Sequence, residues 1–446
     1  LSQHYDLAVI GAGAAGLSVT YAAARFGLRV ALIERGEMGG ECLNAGCVPS
    51  KALLAAARRG KNFAEAKILV TQAIAAIAPV DSVERYTGLG ATVIKATAKF
   101  THPRTLDLDG TPLTAKRIVI ATGSRPAVPD FCTGIPHLTN ETIWNIPALP
   151  QHLLILGGGP MAFEMADAFN SLGAKVTLIG GTKLLPREDA ELAAPVIAAL
   201  QARGVAMITQ QAVGARPGPV VMLADGSEIT GSDLLIAAGR SVDVSSLNLG
   251  AAGVQADANG ILTDNGLRVI GSKHIYAAGD VANPAGIGPQ RFTHVAGYQA
   301  GIIIRRALFR LPAKLSTIPP VRVTYTAPEL AYIGELPGPG HKILTWPFAE
   351  NDRAIAEHDM AGLVKLVLDR KNRLIGAGIT AKGAGEMIGL YALMIAQKTK
   401  ISALAGLMLP YPTRSEAGKR AVGAMYAEKL FGPLPSTLVK LLARLP

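Results

Sequence analysis

Two of the three cysteines in the chain, Cys42 and Cys47, fall within one stretch, GGECLNAGCVPSKALL. Such a pair suits a metal site, two inert buried thiols, or a disulfide that opens and closes. Zinc needs about four nitrogen or sulfur ligands. The third cysteine, Cys132, is distant, and the eight histidines form no ligand pair, so no metal site is expected. Inert thiols remain open as a reading. A redox pair needs a source of electrons, and two further motifs point to one.

The first motif is Gly11-x-Gly13-x-x-Gly16, between the strand-like YDLAVI and the alanine-rich LSVTYAAARFG. Here the first glycine allows a tight turn, the second lets a pyrophosphate approach the backbone, and the third lets helix pack on strand. Glu34 ends the next strand, LRVALIE, where a carboxylate would hold a ribose diol. The second motif, Gly157-x-Gly159-x-x-Ala162, repeats the unit between LLIL and AKVTLIG. There Gly180 stands where an acid would read a ribose 2′-hydroxyl, and Lys183 offers a cation for a 2′-phosphate. NADPH is therefore expected over NADH, with NAD possible. Two dinucleotide sites and a cysteine pair together suggest an electron relay.

The elements that must position these residues are legible as strand, turn, helix and strand, used twice. RIVIATGSRP and DLLIAAGRS read as buried strands ending in glycine turns, and the proline-rich LPAKLSTIPP marks a boundary. Beyond it, PVRVTYT and GLVKLVLD read as strands before helices at AGEMIGLYALMIAQ and EAGKRAVGAMYAEKLF. Hydrophobic content of 49% and charged content of 17% indicate a globular chain. The net charge of +11 is spread out, with no stacking aromatics or nucleic-acid motif, so no nucleic-acid partner is expected. No secretory leader or membrane span is read from the sequence, and the cytoplasm is the expected compartment.

The cysteine segment resembles the active-site segment of the flavoprotein disulfide reductases, which include dihydrolipoamide dehydrogenase, glutathione reductase and mercuric reductase. The resemblance runs along the whole chain through VIGAGAAG, IATGSRP, GGGPMAFE, IYAAGD and YTAPELAYIG. It implies an α/β chain with two Rossmann-like dinucleotide-binding domains, for FAD and NAD(P), and an α+β dimerisation domain. The implied layout is 1–125 (FAD, first part), 126–244 (NAD(P)), 245–312 (FAD, second part) and 313–446 (dimerisation). It further implies a homodimer reducing a small or protein-bound disulfide. Cys47 would lie beside the flavin as the charge-transfer thiolate and Cys42 would attack substrate. Lys51 and Glu164 would pair near the flavin N5, and Asp280 would bind the ribityl chain. Gly11, Gly13, Ala15, Gly16, Glu34, Gly40, Thr122 and Gly123 would complete the FAD contacts. Gly157, Gly159, Ala162 and Lys183 would serve the nicotinamide nucleotide, with Gly239 in the turn after DLLIAA also expected to touch cofactor.

Three departures accompany the resemblance. Glu41 replaces the usual threonine before the first cysteine, bringing a negative charge toward the disulfide. In PYPTRSEAG, Tyr411 takes the place of the family's histidine, while Pro412 and Glu416 remain. No histidine follows His358, and a phenol titrating near 10 is a poor base at neutral pH. Tyrosine here resembles mercuric reductase, but the residues after Glu416 include no cysteine to deliver mercury, so mercury is not expected. The segment between Cys47 and Ala121 is also short for the family, trimmed around ARRGKNFAEAK. A diaphorase passing electrons from flavin directly to quinones or metals is one alternative enzyme, and a mercuric reductase-like activity is the other. A flavoprotein acting mainly as a partner subunit is the non-enzymatic one.

Overall fold

Continuous apolar runs such as Leu7–Ile10, Ile118–Ile120 and Leu153–Leu156 cannot alternate between core and water. They form parallel strands covered on both faces. The computed structural model describes residues 3–445. Its backbone divides into two compact units. The first comprises residues 1–157, 168–181 and 210–317; the second comprises 158–167, 182–209 and 318–446.

In the first unit, strands Thr92–Lys95, Val30–Glu34, Gln3–Ile10 and Thr111–Ile120 lie side by side. The first three pairings are parallel, and Ile275–Ala277 adds a further parallel strand beside Thr111–Ile120. The chain thus leaves this sheet after Ile120 and returns to it at Ile275. Between those points, Lys175–Ile179, His152–Leu156 and Asp233–Ile236 form a second parallel set. Helix Ala14–Arg25 follows the first glycine turn and helix Pro160–Ser171 the second, as the repeated motif predicts.

The two turns are built alike. Gly11 N–H donates to Ile33 O and Gly157 N–H to Ile179 O. Both glycines hold positive φ, +104° and +143°. A Cβ at Gly11 would overlap the Ala121 carbonyl oxygen, and one at Gly157 would overlap that of Ala237. A Cβ at Gly16 would strike the Gly11 carbonyl, whereas its counterpart Ala162 packs fully buried.

In the second unit, five antiparallel strands run in the order Arg322–Thr324, Glu329–Gly334, Leu374–Ala381, Leu363–Leu368, Lys342–Pro347. The glycines within the strand Leu374–Ala381 have tight surroundings: a Cβ at Gly378 would strike Leu192 and the Tyr332 ring. Helix Ala384–Ala396 covers the sheet with Ile388, Tyr391 and Ile395 in a shared core.

One helical stretch, Phe63–Gly88, is long and apolar enough by composition to cross a membrane. It is interrupted by a tight turn at Ala78–Asp81 and carries Glu65, Lys67 and Arg85. Lys67 Nζ donates to Ile146 O at 2.6 Å, so it is not a clear membrane span.

The steric account of the first turn is open to test by Gly11→Ala. The methyl must displace the Ala121 backbone, and overpacking of this kind costs about 1–3 kcal/mol. The positive φ adds strain of about 1–2 kcal/mol. Gly60→Ala, at φ +68° with open space around it, carries the second cost alone. Thermal unfolding should therefore show a larger fall in Tm for Gly11→Ala than for Gly60→Ala.

Candidate active site

The first glycine turn opens onto a cleft of about 400 Å³, lined among others by Gly13, Glu34, Cys42, Asp280 and Thr293. At its edge helix Ala14–Arg25 begins with Gly13 as N-cap, and no side chain caps it. The first N–H groups of a helix have no intrahelical acceptors and attract phosphate oxygens. Glu34 is fixed as an acceptor: one carboxylate oxygen takes Ala12 N–H at 2.6 Å and the other takes Gly36 N–H at 2.7 Å. Each oxygen keeps a lone pair that a ribose hydroxyl could use. Thr122, Gly123 and Ala15 line the same cleft.

The cysteine segment is laid directly on this turn. Gly39 N–H donates to Ala12 O at 3.0 Å, and a Cβ on Gly40 would overlap Gly13 Cα. Cys42 sits within the short helix Gly40–Asn44, and Cys47 is the first residue of helix Cys47–Arg58. Both are thiols, Cys42 half-buried and Cys47 exposed. The Cys42 thiol donates to the Cys47 sulfur, and this bond, with burial, pushes the Cys42 thiol far above its ordinary range. Cys47 Sγ also lies 3.5 Å from Thr293 Oγ1. The loop between the cysteines is held from both ends. Asn44 Nδ2 donates to Met38 O and Gly40 O, each at 2.9 Å, and Trp144 Nε1 donates to Ala45 O at 3.1 Å. Lys51 Nζ donates to Ser50 Oγ at 3.3 Å.

Glu41 does not stand as a bare charge beside the sulfurs. Arg240 grips both of its oxygens, and Asn140 Nδ2 donates to one of them at 2.5 Å. Arg240 Nε also donates to Ser124 Oγ at 2.7 Å and to Asp280 Oδ2 at 3.3 Å. Ser124 Oγ in turn donates to Asp280 Oδ2 at 2.6 Å. One guanidinium therefore bridges two carboxylates. Burial pushes the Glu41 carboxyl up, and Arg240 opposes that rise.

Elsewhere in the first unit, Gly239 holds φ +128° in the turn after Asp233–Ile236. In the second unit, the buried Glu164 accepts Tyr325 N–H at 3.1 Å. Gly159 O accepts Phe163 N–H at 3.2 Å, and Lys183 is exposed. Tyr411 is 69% exposed, and its hydroxyl donates to Asp352 Oδ2 at 3.0 Å. That bond to a carboxylate holds the phenol above its ordinary range. Glu416 accepts Thr413 N–H at 3.3 Å. Arg414, between them, pairs with Glu357 at 2.6 Å and Asp359 at 3.1 Å.

Residues 5–300 match the pyridine nucleotide-disulphide oxidoreductase family, and residues 320–422 match the dimerisation domain of the same family. The chain belongs to this family. It is 34% identical to a mercuric reductase of Streptomyces lividans, over 94% of this chain and 95% of that one. It is 31% identical to a dihydrolipoyl dehydrogenase of Thermus scotoductus, over 96% and 98%. Among solved structures it is similar to the HOCl-induced flavoprotein disulfide reductase RclA of Escherichia coli. The TM-score is 0.85 at 27% identity, covering 94% of this chain and 99% of that one.

The protein is thus an FAD-dependent NAD(P)H disulfide oxidoreductase, and its dimerisation domain indicates a homodimer. The cleft fits the adenine dinucleotide part of FAD on its own geometry: an uncapped helix start, a glycine cradle that a Cβ would fill, and a carboxylate held for a diol. The first departure of the sequence, Glu41, now has a physical account. A carboxylate in this half-buried place demands a cation, and Arg240 supplies it across 199 positions of sequence. Sequence reasoning missed Arg240, Asn140, Trp144, Ser124 and Thr293. The one available signal was Glu41 itself, since a charge in a cleft needs a partner.

Arg240→Ala tests this cluster. It leaves the Glu41 and Asp280 carboxylates facing each other, where each charge penalises the other. Removing one partner of a buried pair costs about 3–5 kcal/mol, and the partial exposure here lowers that to about 1–3 kcal/mol. Thermal unfolding should show the loss, and Glu41→Gln introduced beside Arg240→Ala should recover part of it.

Proposed function

We propose that this reductase takes its electrons from NADPH and hands them on through Cys42 and Cys47, with Cys47 the inner sulfur and Cys42 the one that meets the acceptor. FAD, when bound, accepts the two electrons of the nicotinamide hydride and returns them to the cysteine disulfide. The observation that carries the reading is the placement of the cysteine segment on the glycine turn, with both sulfurs hydrogen-bonded at the cleft. Residues Gly11, Gly13, Ala15, Gly16, Glu34, Gly40, Thr122, Gly123 and Asp280 would hold FAD there, with Lys51 and Glu164 serving the flavin ring.

The asymmetry of the pair supports the division of labour. Cys47 opens a helix, whose N-terminus favours negative charge. In the forward step the Cys42 sulfur attacks a substrate disulfide, giving up its proton, and one substrate sulfur leaves as a thiolate. Cys47 then attacks Cys42, closing the internal disulfide and releasing the second sulfur. Two protons must reach the leaving sulfurs, and in the homodimer Tyr411 and Glu416 of the partner chain would face this point. Coenzyme choice rests on Gly180, which offers no carboxylate to a 2′-hydroxyl, and on the exposed Lys183. Gly157, Gly159, Ala162 and Gly239 would cradle that nucleotide.

A second acceptor class is favoured by Tyr411. Its proton is held by Asp352, so it is a poor base for thiol exchange. A soft metal ion would displace the protons of the two sulfurs to water by its own binding: the dithiolate then closes to a disulfide, and its two electrons pass to one two-electron metal ion or to two one-electron ions. Mercuric reductases are among the relatives, and one solved RclA structure is a Cu(II) complex.

Anaerobic titration tests donor and sulfur roles together. NADPH should bleach the flavin faster than NADH, and a long-wavelength band from the thiolate beside oxidised flavin should follow. Cys47→Ser should bleach without the band. A band that persists in Cys47→Ser, or faster reduction by NADH, contradicts the assignment.

Tyr411→His tests the acceptor. General acid–base help is worth about 10²–10⁴-fold, so lipoamide reduction should rise by up to about 10²-fold. Tyr411→Phe should leave it low. Fast lipoamide turnover by the wild type, unchanged in Tyr411→His, would mean that another base serves the site.

A further inference from the structure

The helix Pro433–Leu442 buries none of its residues. Along it, Leu434, Leu438, Leu441 and Leu442 are each 52–84% exposed, and Leu445 just beyond is 65% exposed. At 3.6 residues per turn, Leu434, Leu438 and Leu441 fall on one line, which Leu442 and Val439 widen to one side. Ser436 and Lys440 fall on the other side, and Arg444 follows the helix. Phe431 and Leu430, just before the helix, are also exposed. No acidic residue follows Glu428, whereas Lys429, Lys440 and Arg444 do. The segment lies beyond residues 320–422, which match the family's dimerisation domain.

We infer that this helix is a surface anchor that lays the enzyme on an anionic lipid bilayer. A helix with an apolar stripe and cations on its other face lies in the plane of a membrane interface, its stripe about 5–10 Å into the headgroup boundary. The cations then reach lipid phosphates, helped by the net charge of +11 on the whole chain. Protein interfaces favour aromatic, methionine and arginine contacts at their centres. The helix offers leucine and valine, with no aromatic, methionine or arginine within it, a surface without directional features that suits acyl chains. A short helix binds weakly by itself, but a homodimer carries two, and two contacts on one particle reinforce each other.

The experiment is flotation of the purified holoenzyme with two kinds of vesicle. One is phosphatidylcholine; in the other, phosphatidylglycerol replaces a third of it. The enzyme should float with the anionic vesicles only, and salt should release it. Lys440→Ala should weaken binding about fivefold, the equivalent of one cation near an anionic surface. The double variant Leu438→Asp, Leu441→Asp should abolish flotation while leaving NADPH oxidation and dimer mass as in wild type. No flotation of the wild type overturns the proposal, as does equal flotation of the double variant. So does a fall in assembly mass in that variant, which would assign the stripe to a second copy of the chain.

Discussion

The whole arrangement depends on how closely two stretches of bare backbone approach at Gly13 and Gly40. A side chain at position 40 would overlap Gly13 Cα. The neighbouring hydrogen bond from Gly39 to Ala12 O, 3.0 Å long, fixes the direction of approach. The contact sets the cysteine segment on the turn that could hold a dinucleotide. Electrons can pass between a flavin and a disulfide only if the two are nearly touching, and a layer of side chains would separate them. The glycines of GGEC are therefore as much a part of the relay as the sulfurs they precede. The turn below is itself constrained, because Gly11 has no room for a methyl against Ala121. Strand, turn and cysteine helix are stacked without slack.

Charge follows the same geometry. Bringing the segment this close carries Glu41 into a half-buried place, already near Asp280. Two carboxylates there would repel each other in a medium that screens poorly. Arg240 resolves this by reaching both, with Ser124 and Asn140 satisfying the remaining acceptors. The family's usual threonine would need no such cation at this position. Glu41 thus depends on Arg240: substitution of Arg240 leaves the Glu41 charge uncompensated, whereas without Glu41 the guanidinium still pairs with Asp280.

Much of the fold was legible because its determinants are local. Glycine spacing reports a backbone conformation, and runs such as Leu153–Leu156 report burial on both faces, so both parallel sheets could be read from the sequence. The return of the chain to the first sheet at Ile275–Ala277 came instead through the resemblance, since the run IYA has no pattern that names its neighbour. Within the site, the residues with fixed motifs were found and their supports were not. Arg240, Trp144 and Thr293 act through contacts 99 to 246 positions away, and nothing in their local sequence encodes a partner. Trp144 illustrates the point. Its neighbours carry no motif, yet its indole N–H holds the carbonyl of Ala45 between the two cysteines.

The same reasoning explains why the acceptor is harder to read than the donor side. Donor-side chemistry is tied to backbone cradles, which leave glycines behind as a record. The proposed acceptor side would depend on exposed side chains around Tyr411, where many residue types could stand without disturbing the fold. What the structure adds there is a constraint on protons. Arg414 ties the segment to Glu357 and Asp359, and these bonds, Arg414 first and then Arg353, pull the Glu357 carboxyl down to about 2. That pairing is therefore complete above the ordinary carboxyl range and is lost only as pH falls toward 2. Across neutral pH the Tyr411 segment keeps one charge state and one set of partners. The phenol beside it stays protonated through the same range, bound to Asp352. A segment so fixed offers a hydrogen-bonding surface rather than a titrating one. An acceptor that draws electrons without demanding a proton from its surroundings is the chemistry such a surface suits.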